Sequence, residues 1–252
     1  MNSNRRNVIR SLAGGGLILP GLLSEMMDVE DKPLAPKKPH FAPKAKRVIF
    51  LFMTGGVSHV DTFDPKPFLN KNHDKPKTKG RRYYKGSGWD FKKYGQCGTE
   101  FSDLFPHIGG MADDICMIRS MQNINGDHFG ATIGLHTGSD TFKRPSIGSW
   151  VSYGLGTYNA NLPSFMVISP GLPYAGGQVW GSDFLPVLHQ GTRIIPGAEP
   201  IANMHRRTPT DSQQRDELGL LEFFNNQHLH GRENDSNLRA RIKSFETAAG
   251  MQ

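Results

Sequence analysis

Four side chains able to do acid–base, nucleophilic or ligand chemistry stand within seven residues of one another: Ser58, His59, Asp61 and Asp64. They follow Thr54, Gly55 and Gly56, and a Gly-Gly pair lets the backbone turn sharply and present N–H groups to an anion. Ser58 is a candidate nucleophile, although the sequence offers it no recognisable partner base. His59 and Asp61 supply the imidazole and carboxylate that divalent cations take, so they are the candidate metal ligands, with zinc, manganese or calcium all admissible. A bound cation would polarise a phosphoryl or sulfuryl oxygen and lower the pKa of a bound water or hydroxyl. The same residues have a purely structural reading, in which Ser58 caps a helix, Asp61 and Asp64 shape the turn before Pro65, and His59 faces solvent.

The elements that would position this group are legible on either side. Val48 to Met53 is an unbroken apolar run of strand length, the pattern of a strand covered on both faces in a parallel sheet. In open α/β sheets ligands bind beyond the carboxyl ends of the strands, where the turn would then lie. Ile115 to Met121 reads as a second buried strand, and its end delivers Asn123, Asn125, Asp127 and His128, followed by His136. His128 is a candidate ligand or acid/base group and His136 a candidate substrate contact. Eight residues apart on one helix, they would lie about 12 Å apart along its axis, too far to share a metal unless the helix breaks at Gly134. Ser102 to Ala112 is predicted as a helix capped by Ser102 or Asp103 and bent near Pro106. Pro145 to Gly156 is predicted as a helix burying Trp150, Val151 and Leu155, and Phe165 to Ile168 as a third strand. Ser169 to Gly191 is a Gly/Pro-rich excursion holding Asp183 and His189, which are weaker candidates for substrate contact. Leu218, Leu221 and Phe224, then Leu238, Ile242 and Phe245, fall at helical spacings in two closing helices.

FLFMTGGVSHVDTFDPKP resembles the opening signature of the secreted family catalogued as domain of unknown function 1501, which is grouped with the sulfatase-like, alkaline-phosphatase-type fold. Further resemblance lies at DDICMIRSM, at LHTG with RPSIGSWVSYGLG, and at NLPSFMVI. The resemblance implies an α/β domain with a mostly parallel sheet flanked by helices. It also implies a further C-terminal half bearing a GGEFGRTP-like strand end and an Asp-His pair, so the chain is expected to be the N-terminal part of such a domain. Aligned on Thr137 and Gly138, the sulfatase pattern puts His128 at the nucleophile position and Thr132 at the arginine position. A formylglycine cannot be made from His128, which argues against an ordinary arylsulfatase mechanism.

At 252 residues and 37% hydrophobic, the chain can bury a sizeable core, and 29 Gly with 17 Pro imply many irregular connections. Arg5 and Arg6 before a short apolar, glycine-bearing stretch resemble a twin-arginine export signal over residues 1–27, which points to the periplasm or cell envelope and to the twin-arginine export machinery as a partner. Residues 28–46 are a Pro/Lys-rich linker, and 47–252 form the domain. Within it, 66–98 read as a basic insertion: Lys66 to Lys93 holds ten Lys or Arg against two acids, more than accounting for the formal +7 of the whole chain. Tyr83, Tyr84, Trp89, Phe91 and Tyr94 interleave with the charge. Basic and aromatic residues together can hold nucleic acid or an acidic or sulfated polysaccharide. For an exported protein the glycan is the expected partner and nucleic acid is not, with Arg81 and Arg82 as candidate substrate contacts; a solvated loop would show the same composition. Cys97 and Cys116 could be joined or remain buried free thiols. The function expected is metal-dependent hydrolysis of sulfate or phosphate esters, on a polysaccharide among other substrates; the alternative is a non-catalytic envelope protein that binds acidic glycans.

Overall fold

The computed structural model describes residues 33–77, 81–159, 161–201, 205, 208–233 and 235–252. The expected export signal, the first residues of the linker, Lys79, and Arg206 with Arg207 lie outside them. The chain divides into two compact units, one of residues 47–131 and one of residues 1–46 with 132–252. The fold is mixed α/β, and its sheets among the described residues are small: one antiparallel pair and one parallel pair.

In the 47–131 unit the main chain forms no regular element through 47–57, bends at Gly55, and then forms the short helices α1 (His59–Thr62) and α2 (Pro67–Lys71). Strands β1 (Phe91–Tyr94) and β2 (Thr99–Ser102) pair antiparallel, Phe91 facing Ser102 and Tyr94 facing Thr99. Gly95 and Gly98 take φ of +65° and +66° at the two ends of the connecting turn, a conformation glycine adopts without steric cost. Asp113 braces this turn: its carboxylate accepts the amides of Gln96 at 2.9 Å and Cys97 at 2.8 Å. Those two bonds, Gln96's the larger contribution, hold the Asp113 carboxyl below its ordinary range. Phe101 is fully buried, with Phe63 edge-on at 6.1 Å and Tyr94 edge-on at 6.2 Å, and Phe63 stacks on Phe105 at 5.1 Å. Arg119 ties the pieces by donating to the carbonyls of Phe63 at 2.9 Å and Glu100 at 3.2 Å.

Helix α3 (Pro106–Gly109) begins at a proline and is followed by a single 3-10 turn, Ala112–Asp114. The helix expected over 102–112 is therefore corrected to two short turns. Ser102 ends β2 instead of capping a helix, because its residue pairs with Phe91 and its buried hydroxyl accepts the Leu104 amide. Helix α4 (His128–Thr137) runs unbroken through Gly134; its residues up to Ala131 belong to this unit and the rest to the other.

The other unit holds α5 (Ile147–Leu155), β3 (Met166–Ile168), β4 (Thr192–Ile194), α6 (Asp211–Leu229) and α7 (Ser236–Gly250), with 3-10 turns at Gly176–Trp180 and Val187–His189. Strands β3 and β4 run parallel, Met166 facing Thr192. Ser146 caps α5 by accepting the Ser149 amide, and Gly156 ends it at φ +68°. Ala175, Val179 and Trp180 form the core, with Ile133, Phe165 and Val167 packed on it.

Three expectations are corrected by burial. Val48 to Met53 forms no strand among the described elements, and all its side chains but the half-buried Phe52 are exposed, Ile49 at 79% and Leu51 at 86%. Ile115 to Met121 is likewise unpaired as a strand, with Ile118 and Met121 exposed. An apolar run encodes a demand for burial and says nothing about which distant segment will meet it; a parallel neighbour needs a crossover to arrive. On α5, Trp150 and Leu155 face solvent and the buried residues are Ser149 and Ser152. Those hydroxyls are satisfied internally, Ser149 donating to the Gly181 carbonyl at 2.9 Å, so the polar stripe is the one that can be buried without penalty. The mostly parallel sheet thus reduces to the β3–β4 pair. Cys97 and Cys116 are free thiols, and both are exposed rather than buried.

Candidate functional site

The candidate turn lies entirely in the 47–131 unit. Gly55 and Gly56 take φ of +89° and +73°, two successive residues in the left-handed region, and the chain bends here before α1. Ser58 stands just before the helix with an extended backbone. Its hydroxyl donates to Asp61 Oδ2 at 2.6 Å, while its carbonyl accepts the buried Thr62 hydroxyl at 2.8 Å. The short bond to a carboxylate is charge-assisted, and it gives Ser58 the proton acceptor that the linear sequence did not reveal. The signal was present as Ser-x-x-Asp, a spacing that also marks the first turn of a helix. Ser58 makes no cap bond to the helix amides, so its hydroxyl serves the carboxylate alone.

His128 arrives from the other end of the unit. Asp127 Oδ2 accepts the amides of Phe129 at 3.0 Å and Gly130 at 3.1 Å, and Asn125 Oδ1 accepts the Asp127 amide at 2.9 Å. These bonds fix the start of α4, whose first residue is His128. A Cβ built on Gly56 would lie 3.6 Å from His128 Cε1 and 3.9 Å from Nδ1, so the imidazole rests against the glycine turn two residues before Ser58. Gly56 and His128, 72 positions apart in sequence, thereby lie side by side. His59 is exposed on the first residue of α1, and Asp61 is half-buried two residues on. Asp64 is paired with Lys66 at 2.7 Å and is taken up by that ion pair.

Among the described residues no group of three or more His, Cys, Asp or Glu is arranged to hold a metal ion. Catalytic metal centres take three protein ligands. His59 and Asp61 would supply two, one of them already bonded to Ser58, so these residues do not fit a cation site by themselves.

The other expected contacts lie apart. Arg81 and Arg82 are exposed on the basic segment, and no hydrogen bond or ion pair among the described residues joins them to 55–61. His136 belongs to the other unit; its Nδ1 is 2.8 Å from the Thr132 carbonyl, and burial lowers its pKa against the opposing effect of that carbonyl. Asp183 is exposed. His189 is buried rather than facing a substrate, its Nδ1 2.8 Å from Ser152 Oγ. An open depression of about 400 Å³ lies beside Cys97, Thr99, Glu100, Met117 and Arg119. Arg119 donates to main-chain carbonyls there, so Glu100 is the charged residue of the lining whose side chain is not spent on the main chain.

The family described as Protein of unknown function (DUF1501) matches residues 45–252, a span that contains the glycine turn, Ser58, Asp61 and His128. The chain belongs to the DUF1501 family. No curated protein and no solved structure matches it. Membership of DUF1501 confirms the resemblance read from the FLFMTGGVSHVDTFDPKP segment and names no reaction.

Proposed function

We propose that this DUF1501 chain carries the reacting groups of an exported hydrolase of sulfate or phosphate esters. The observation that supports the reading is the hydroxyl–carboxylate pair of Ser58 and Asp61, 2.6 Å apart, on a glycine turn against which the His128 ring rests. Ser58 Oγ attacks the phosphorus or sulfur atom and passes its proton to Asp61. The ester bond to the leaving oxygen breaks as that oxygen takes a proton from His128. Water then attacks the Ser58 ester, giving its proton to His128, and Asp61 returns a proton to Ser58 as free sulfate or phosphate leaves. The amides of the Gly55–Gly56 turn face the developing anionic charge. No step is routed through a cation, because the residues at hand supply too few ligands for one. The Arg5–Arg6 segment supports action in the periplasm or cell envelope after passage through the twin-arginine export machinery.

The test is release of product from aryl sulfate and aryl phosphate, with and without added zinc, manganese or calcium. The wild-type rate is expected to fall about 100-fold or more in Ser58→Ala and in His128→Ala. Release that survives both substitutions unchanged, or no release from either ester, overturns the reading.

A further inference from the structure

The basic segment is not a featureless solvated loop. Pro76 and Tyr83 form an antiparallel bridge, with Lys77 N–H donating to the Arg82 carbonyl at 2.9 Å and Tyr84 N–H to the Lys75 carbonyl at 3.1 Å. Residues 74–77 and 82–85 are thus two arms of a ribbon. Directly opposed residues in such a ribbon point to the same face, and neighbours along each arm alternate. Lys75 and Lys77 therefore share a face with Arg82 and Tyr84, and the ammonium of Lys77 indeed lies 5.0 Å from the centre of the Tyr84 ring. Phe68 meets Tyr84 edge-on at 5.4 Å, and the Gly86 and Ser87 amides donate to His73 Nδ1 at 3.0 Å and Asn70 Oδ1 at 2.9 Å, which anchors the ribbon to α2 and the turn after it.

The cations of the segment are divided. Lys66 pairs with Asp64, and Lys92 pairs with Asp103 at 3.0 Å, whose hydrogen bond and charge raise its pKa. Lys75, Lys77 and Arg82 have no ion pair among the described residues, and all three are exposed. Their Cα atoms are spaced by about 7 Å along one arm and about 5 Å across the ribbon, from strand geometry. Three like charges held this close by main-chain bonds raise the local concentration of a polyanion, whereas dispersed surface lysines would not.

We propose that the face of Lys75, Lys77 and Arg82 is a docking surface for a sulfated polysaccharide, its sulfates set against the three cations. Nucleic acid would meet the same charges. The glycan is favoured because the N-terminal Arg5–Arg6 segment directs the chain to a compartment where glycans are the abundant polyanions. The choice of a sulfated polymer rests on the ester-hydrolase reading above; the docking surface itself does not.

The experiment measures binding of Ser58→Ala protein, which cannot turn the ligand over, to heparin oligosaccharide, to dextran, and to single-stranded DNA of equal charge. Substituting Lys75→Gln, Lys77→Gln and Arg82→Gln together is expected to weaken heparin binding about tenfold or more. Substituting Lys44→Gln, Lys143→Gln and Arg144→Gln, with the same loss of net charge, is expected to leave it within twofold. Dextran is expected not to bind. An equal loss in both triple variants, tighter binding to DNA than to heparin, or no heparin binding overturns the proposal. Failure of ester release with heparin binding intact would overturn the hydrolase alone. Circular dichroism of both triple variants shows that each is folded.

Discussion

His189 Nδ1 lies 2.8 Å from the hydroxyl of Ser152, and that hydroxyl lies 2.6 Å from the hydroxyl of Ser164. The histidine is buried in the 3-10 turn Val187–His189, with the Tyr153 ring edge-on at 5.3 Å. Burial, helped by the positive charge of Lys37, pushes its pKa down to about 4 from the 6.5 of an exposed imidazole. The folded protein keeps this ring neutral while the unfolded chain can protonate it, so the unfolded state binds more protons. The stability this contributes is complete above pH 6.5 and is lost as the pH falls toward 4. The loss reaches roughly 3 kcal/mol, at 1.36 kcal/mol for each pKa unit. Denaturant unfolding at pH 7, 5.5 and 4.5 is expected to show wild type losing more stability on acidification than His189→Gln. Parallel pH curves for the two would refute it.

Phe101 is the centre of the 47–131 unit, fully buried between Phe63 and Tyr94. Phe101→Ala is expected to cost about 3–5 kcal/mol through lost burial and a residual cavity. Phe224, 55% exposed on α6, is expected to cost under about 1 kcal/mol on the same substitution. Chemical denaturation of both variants compares them directly.

Gly156 ends α5 at φ +68°, ψ −158°, and a Cβ there would run into the Ala35 carbonyl oxygen. Both the backbone conformation and the space forbid a side chain. Gly156→Ala is expected to lose about 2 kcal/mol or more, read as a drop in melting temperature. Gly98→Ala meets no atom within 4 Å and carries only the cost of its φ of +66°, about 1–2 kcal/mol. If the two variants melt together, the carbonyl contact at Gly156 has no weight.

The turn Gly95–Gly98 depends on Asp113. In Asp113→Ala the amides of Gln96 and Cys97 lose their acceptor, and both are expected to exchange hydrogen about tenfold faster, consistent with loss of one hydrogen bond each. Cys97, a free and exposed thiol, reports the same change through faster reaction with a maleimide. The carboxyl is held below its ordinary range, so wild type is expected to keep the turn until the pH falls through that depressed value, and then to approach the variant.

What could be read from the sequence was local. The closing helices follow from Leu218, Leu221 and Phe224 and from Leu238, Ile242 and Phe245 at helical spacing, and α5 lies within the span predicted from Pro145 to Gly156. The glycine turn announced itself in Gly55–Gly56, since only glycine takes two successive left-handed residues without strain, and family membership was legible in the same segment. Tertiary structure decided the rest. It set His128 against Gly56 and His189 against Ser152, joining residues 72 and 37 positions apart, and it left most of Val48 to Met53 exposed where an unbroken apolar run asked for a buried strand. Helix and turn preferences act within a few residues. Burial and side-chain pairing depend on which distant segments meet, and no spacing within one stretch encodes that.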